Sequence, residues 1–60
     1  MSLYDFLELM QDEMQSANEQ VTKFLNGNKS AGTRARKSMQ TIKTAAQNVR
    51  LEIQTMKNNS

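Results

Sequence analysis

A chain of 60 residues without cysteine, histidine or proline has room for one small domain and lacks the disulfides and thiolate or imidazole metal sites that staple many short folds. At this length folding buries only about 60% of the surface of the unfolded chain, so self-association is the expected route to stability. The formal net charge of +2 conceals a division: Met1 to Asn28 holds five acids (Asp5, Glu8, Asp12, Glu13, Glu19) and one base (Lys23), whereas Lys29 to Ser60 holds seven bases (Lys29, Arg34, Arg36, Lys37, Lys43, Arg50, Lys57) and one acid (Glu52).

Halves of −4 and +6 imply either an anionic partner for the second half or pairing between the two. No apolar run approaches the roughly 20 residues that span a bilayer. The chain begins without the basic segment and apolar stretch of a secretory leader. A cytoplasmic protein with no membrane partner is expected.

The first element is a helix over about residues 3–26. Leu3, Leu7, Met10, Met14, Ala17, Val21 and Phe24 follow one another at alternating spacings of four and three, the seam of a helix packed against other helices. Ser2 with Asp5 fits an N-cap box, and Asn26-Gly27 fits a stop, since glycine supplies the left-handed conformation at a helix end. The second helix is expected over about 30–57, capped by Asn28 or Ser30, with a seam of Ala35, Met39, Ile42, Ala46, Val49, Ile53 and Met56. A single continuous helix would place Gly27 and Gly32 in its interior at about 1 kcal/mol each. The polar run Asn58-Asn59-Ser60 ends the chain.

A break of so few residues favours an antiparallel two-helix hairpin. The expectation is therefore one all-α domain over residues 1–60, pairing as a homodimer into a four-helix bundle. Its oligomer core would be Leu3, Leu7, Met10, Met14, Val21, Phe24, Met39, Ile42, Val49, Ile53 and Met56. The methionine and alanine of these seams are core material.

Catalysis finds little footing. Histidine, the commonest acid–base residue at neutral pH, is absent. Asp5, Asp12 and Glu19 recur every seven residues on a face turned from the seam, where a solvated surface explains them better than a metal or acid–base cluster. A hairpin also offers little concave volume for a small-molecule substrate. No enzyme, cofactor or metal is expected.

The positive signal is a second stripe. Lys29, Arg36, Lys43, Arg50 and Lys57 also recur every seven residues, beside the second seam. Chance filling of all five positions, allowing any of the seven phases, is roughly 0.35%, low enough to treat the stripe as a feature. It would run ~42 Å at 1.5 Å per residue. Interhelical salt bridges are the ordinary use of such positions. The rows flanking the seams, however, are Tyr4, Gln11, Asn18 and Leu25 on one side and Phe6, Glu13 and Gln20 on the other, with Ser38, Ala45 and Glu52 on the second helix. Glu13 and Glu52 cannot neutralise five bases, so most of the stripe should stay available to a polyanion.

Basic density peaks at the hairpin tip. Lys29, Arg34, Arg36 and Lys37 gather with Ser30, Gly32 and Thr33 in the first turns of the second helix, where the dipole and free backbone N–H groups favour a phosphate. Gly32 would permit close backbone approach, and Ser30 and Thr33 would donate hydrogen bonds. The alternative is an ordinary cap with solvated charges. This chemistry alone does not separate duplex DNA from RNA. Base stacking of the single-strand type is disfavoured, because there are three aromatic residues and Phe6 and Phe24 are expected at or near the core.

The run Gly27-Asn28-Lys29-Ser30-Ala31-Gly32-Thr33-Arg34-Ala35-Arg36-Lys37, continuing through Ile42-Lys43 and Ala46-Gln47-Asn48-Val49-Arg50, resembles the bacterial linker-histone-like family. Its best-known members are the chlamydial histone-like nucleoid proteins. The similarity is densest from Gly27 to about Lys57 and weaker through the acidic first helix. The resemblance implies a DNA-binding, nucleoid-associated role, with Lys29, Thr33, Arg34, Arg36 and Lys37 as the motif positions carried over as DNA-contacting candidates. The chlamydial members also bear a long Lys/Ala-rich C-terminal tail credited with much of their DNA binding. This sequence stops at Ser60 without one, so affinity carried by such a tail does not transfer. What remains is the helical part, which in the family looks like a self-association module.

The leading expectation is thus a dimeric hairpin that binds duplex DNA through its phosphates, without strong sequence preference, in the bacterial nucleoid. The candidate contacts are Lys29, Ser30, Gly32, Thr33, Arg34, Arg36, Lys37, Lys43, Arg50 and Lys57. The alternatives are a helical adaptor that meets an acidic protein and a hairpin that binds RNA.

Overall fold

The computed structural model describes residues 1–59; Ser60, the last residue of the polar end, lies outside the described residues. Among the described residues two helices, α1 (Leu3–Leu25) and α2 (Lys29–Asn58), fold back on each other as an antiparallel hairpin measuring 51 × 14 × 13 Å.

The helix ends follow local chemistry. At the start of α1 the Asp5 N–H donates to Ser2 Oγ (3.2 Å) and the Ser2 N–H donates to Asp5 Oδ2 (3.0 Å), a complete capping box. The bond from the Ser2 backbone, aided by the Ser2 side chain, holds the Asp5 carboxyl below its ordinary value of 3.8. Because the folded value is the lower one, the box contributes fully above the unfolded value and is lost as pH falls through the folded value. Helical ellipticity should therefore show an acid step below about pH 4 that Asp5→Asn flattens. An unchanged acid limb in that variant would show that the box plays no part.

At the other end of α1 the Gly27 N–H donates to Phe24 O (3.0 Å) and the Asn28 N–H donates to Lys23 O (3.0 Å), the paired bonds of a Schellman stop. Gly27 sits at φ 106, a conformation open to glycine but strained for other residues. Asn28 then caps α2, its Oδ1 accepting from the Ala31 N–H (3.3 Å). The break between the helices rules out the continuous-helix alternative.

The register of packing differs from the expected seams. On α1 the row Leu3, Met10 and Ala17 does face α2, but its companion row is Phe6, Glu13 and Gln20 rather than Leu7, Met14 and Val21. On α2 the row Ala35, Ile42 and Val49 is kept, and its companion is Ala31, Ser38, Ala45 and Glu52 rather than Met39, Ala46 and Ile53. The residues read as flanks are therefore the interhelix rows. The physical reason is close approach. Ala17, Ala31, Ala35, Ser38 and Ala45 are the buried residues, and small side chains let two helices come nearer than a methionine or isoleucine row would.

Two features of the single chain follow. Leu7, Met14, Val21, Met39, Ile53 and Met56, expected in the seams, are 42–57% exposed in the single chain. Phe24, expected at the core, is half exposed, with its ring lying over Gly32. Helix α2 has 30 residues against 23 in α1. Since both helices abut the short tip, the excess projects from the open end and carries Ile53 and Met56 with it.

Candidate nucleic-acid interface

Helix α2 breaks a local rule that α1 obeys. Helix α1 has an acid in its first turn (Asp5) and a base in its last (Lys23), matching the helix dipole. The first turn of α2 has no acid and begins with Lys29. A cation at the positive end of a dipole costs a few tenths of a kcal/mol, and it concentrates positive potential at the hairpin tip, where an anion is favoured.

The seven-residue spacing carries Lys29, Arg36, Lys43, Arg50 and Lys57 along one edge of α2. Lys29, Gly32, Thr33 and Arg36 line a cleft with Val21 and Phe24, and Thr33, Arg36, Lys37, Gln40 and Lys43 line a second one beside it with Met39. Thr33 and Arg36 belong to both clefts. The structure thus brings Lys29, Thr33, Arg36, Lys37 and Lys43 onto one continuous patch.

Other candidates are placed differently. Arg34 Nε donates to Gln20 Oε1 on α1 (2.8 Å), which ties its guanidinium across the hairpin. Arg50 lies farther down the edge, with a long bond from its guanidinium to Gln47 Oε1 (3.5 Å). Lys57 occupies the last turn of α2. Ser30 Oγ donates to Asn28 Oδ1 (2.8 Å), so its hydroxyl proton is used in the cap. A Cβ on Gly32 would come 2.7 Å from Phe24 Cδ1, so the close approach that this glycine permits is made by the ring. Gln40, which lines the second cleft, was not singled out from the sequence; its place four residues after Arg36, and so on the same helix side, is the signal that points to it.

Among the described residues no carboxylate pairs with Lys29, Arg34, Arg36, Lys37, Lys43 or Arg50. Glu13 and Glu52, the acids expected to compete for the stripe, are half-buried on the interhelix rows instead. Asp5, Asp12 and Glu19 do not converge: among the described residues no three metal-capable side chains form a group. No described helix is long and apolar enough to cross a membrane.

The sequence profile of the family described as histone H1-like protein Hc1 matches residues 5–59. The chain belongs to this histone H1-like family. The match takes in α1 as well as the basic tip, so the likeness read from the Gly27–Lys37 run extends across both helices. No individual curated protein and no solved structure matches the chain. A histone-like family is not a family of enzymes, and on the edge of α2 no carboxylate of the described residues pairs with Lys29, Arg36, Lys43 or Arg50.

Proposed function

We propose that this histone H1-like chain binds duplex DNA through its phosphates, without strong sequence preference, and acts on the bacterial nucleoid as a self-associating unit that bridges or compacts DNA. The observation that carries this reading is the basic patch over the first half of α2. Lys29, Arg36, Lys37 and Lys43 lie together around Thr33, at the positive end of the α2 dipole, with no carboxylate of the described residues on them. Family membership supplies the nucleic acid as the polyanion.

Helix α2 reads no base edge in this proposal. Its lysines and arginines sit along a rod and its aromatic residues are few, which suits a charged backbone better than stacked bases. Arg34 contributes less than its neighbours unless it leaves Gln20. Ser30 serves mainly as part of the cap and Gly32 as the seat of Phe24, so their roles in binding are indirect.

Binding by counterion release has a distinctive salt dependence, about 0.9 log unit of affinity per log unit of salt for each phosphate neutralised. Four contacts would cost about two log units of affinity between ~50 and ~200 mM salt. Gel shifts with two unrelated duplexes should show that loss for both sequences alike. Salt-insensitive binding, or none at the lower salt, would overturn the proposal. A preference for duplex RNA over DNA in competition would reassign the partner.

A further inference from the structure

Leu7, Met14 and Val21 of α1 and Met39, Ala46 and Ile53 of α2 lie on one side of the hairpin. Met14, Val21 and Met39 line a shared cleft there, and the heptad spacing carries the others along the same side. We infer that this face takes a second copy of the chain with both tips at the same end, so that α2 of each copy lies along α1 of the other. The inference rests on the self-association proposed above and gives it a direction.

The chain exposes more surface than a compact monomer of its mass, and the surplus is of the size that an interface removes. A compact monomer of 6.8 kDa exposes about 3950 Å², whereas this chain exposes 4874 Å². The surplus of about 900 Å² is close to the ~800 Å² that each partner contributes to a stable interface.

Two twofold arrangements bring this face onto itself. With the tips at opposite ends, α2 stacks on the second copy's α2, and the two basic edges run side by side at the ~10 Å separation of packed helices. Lys43 then stands by its own counterpart, and no acid lies along that edge to separate the charges. With the tips together, the basic edge of α2 runs instead beside Tyr4, Gln11, Asn18 and Leu25 of the second copy's α1, a row with no charge. The two basic edges then occupy opposite sides of the bundle.

Side-chain size points the same way. The α1 row is large at every position, whereas the α2 row has Ala46 between Met39 and Ile53. Laying α1 on α2 seats large residues around the alanine. Laying α2 on α2 sets alanine on alanine and leaves a void, while α1 on α1 crowds large on large. The projecting ends agree as well. With the tips together, Ile53 and Met56 of both copies emerge at one end and can cover each other. With the tips apart they would meet the second copy's Lys29 and Thr33. Basic edges on opposite sides of one bundle allow each dimer to hold two separate duplexes, which is bridging rather than coating.

The chain has no cysteine, so Asn26→Cys at the tip and Gln54→Cys near the open end each give one spin-label site per copy. Dipolar distance measurements on the two labelled proteins should both return about 15–25 Å, the span of a bundle cross-section. Distances of about 45 Å at the tip and about 35 Å near the open end, the separations that a rise of 1.5 Å per residue gives when the α2 helices of two such rods, each 51 Å long, cross at Lys43 in opposite directions, would overturn the orientation. A single-chain mass by light scattering, with no dipolar coupling at either site, would overturn the interface itself. A gel shift on that same sample then decides whether the DNA reading falls with it.

Discussion

Ala31→Leu will lower the melting temperature of the protein by about 4–24 °C. Ala31 is 0% exposed in the first turn of α2, where the chain has just reversed and the helices are closest to their covalent link. The three extra carbons of leucine have no void to enter, so the helices must separate or the side chain must leave its rotamer. Overpacking of this kind costs about 1–3 kcal/mol, and in a 60-residue fold each kcal/mol shifts the midpoint by roughly 4–8 °C. Ser38 and Ala45 continue the same row, with Ala35 in the row beside it, so a wedge at Ala31 propagates along the contact rather than staying at the tip. Circular dichroism melts of Ala31→Leu and of Gln47→Leu, an exposed site on the same helix, provide the comparison. The second variant should stay within about 0.5 kcal/mol of the parent. Equal melts for the two would mean that α1 does not press on Ala31.

The same row marks where the sequence is hard to read. Helix ends were legible because each depends on a few neighbouring residues: Ser2 with Asp5, Asn26 with Gly27, and Asn28 ahead of Ala31. Packing register was not. Two rows of α2 satisfy the same alternation, Ala35-Met39-Ile42-Ala46 and Ala31-Ala35-Ser38-Ile42, and apolar content favours the first. Distance of approach favours the second, and two helices with only each other to pack on obey distance. The apolar residues of the first row then lie on the open side of the hairpin.

The basic stripe was legible because a spacing of seven keeps charges on one side of a helix whatever that helix packs on. The fate of individual side chains was not. Arg34 and Gln20 are 14 residues apart and meet only once the hairpin closes. Phe24 and Gly32 meet across the turn, where the glycine had read as an opening for a ligand. Long-range pairs of this kind depend on rotamer and crossing geometry, which periodicity does not encode.

Exchanging Lys29, Arg34, Arg36 and Lys37 together for glutamine will cut DNA affinity about a thousandfold at ~50 mM salt, where each phosphate contact is worth roughly a factor of ten through counterion release. The formal net charge falls from +2 to −2, leaving Lys43, Arg50 and Lys57 as the stripe. The salt slope reports how many of the four reach a phosphate. If Arg34 stays on Gln20 the slope should shrink by about 2.7, three contacts at 0.9 each, rather than by about 3.6. Arg34→Gln alone should then be the mildest of the four single changes, and Arg36→Gln, which removes the base common to both clefts at the tip, the most severe. Light scattering on the quadruple variant separates this reading from an adaptor that uses the same charges to join proteins. Lys29 and Arg36 border the Leu7–Met14–Val21 face beside Val21, but in the proposed dimer they run along an uncharged row of the second copy, so the assembled mass should be unchanged. If the mass falls with the DNA binding, the charges hold the chains together instead, and the phosphate reading of the tip is lost.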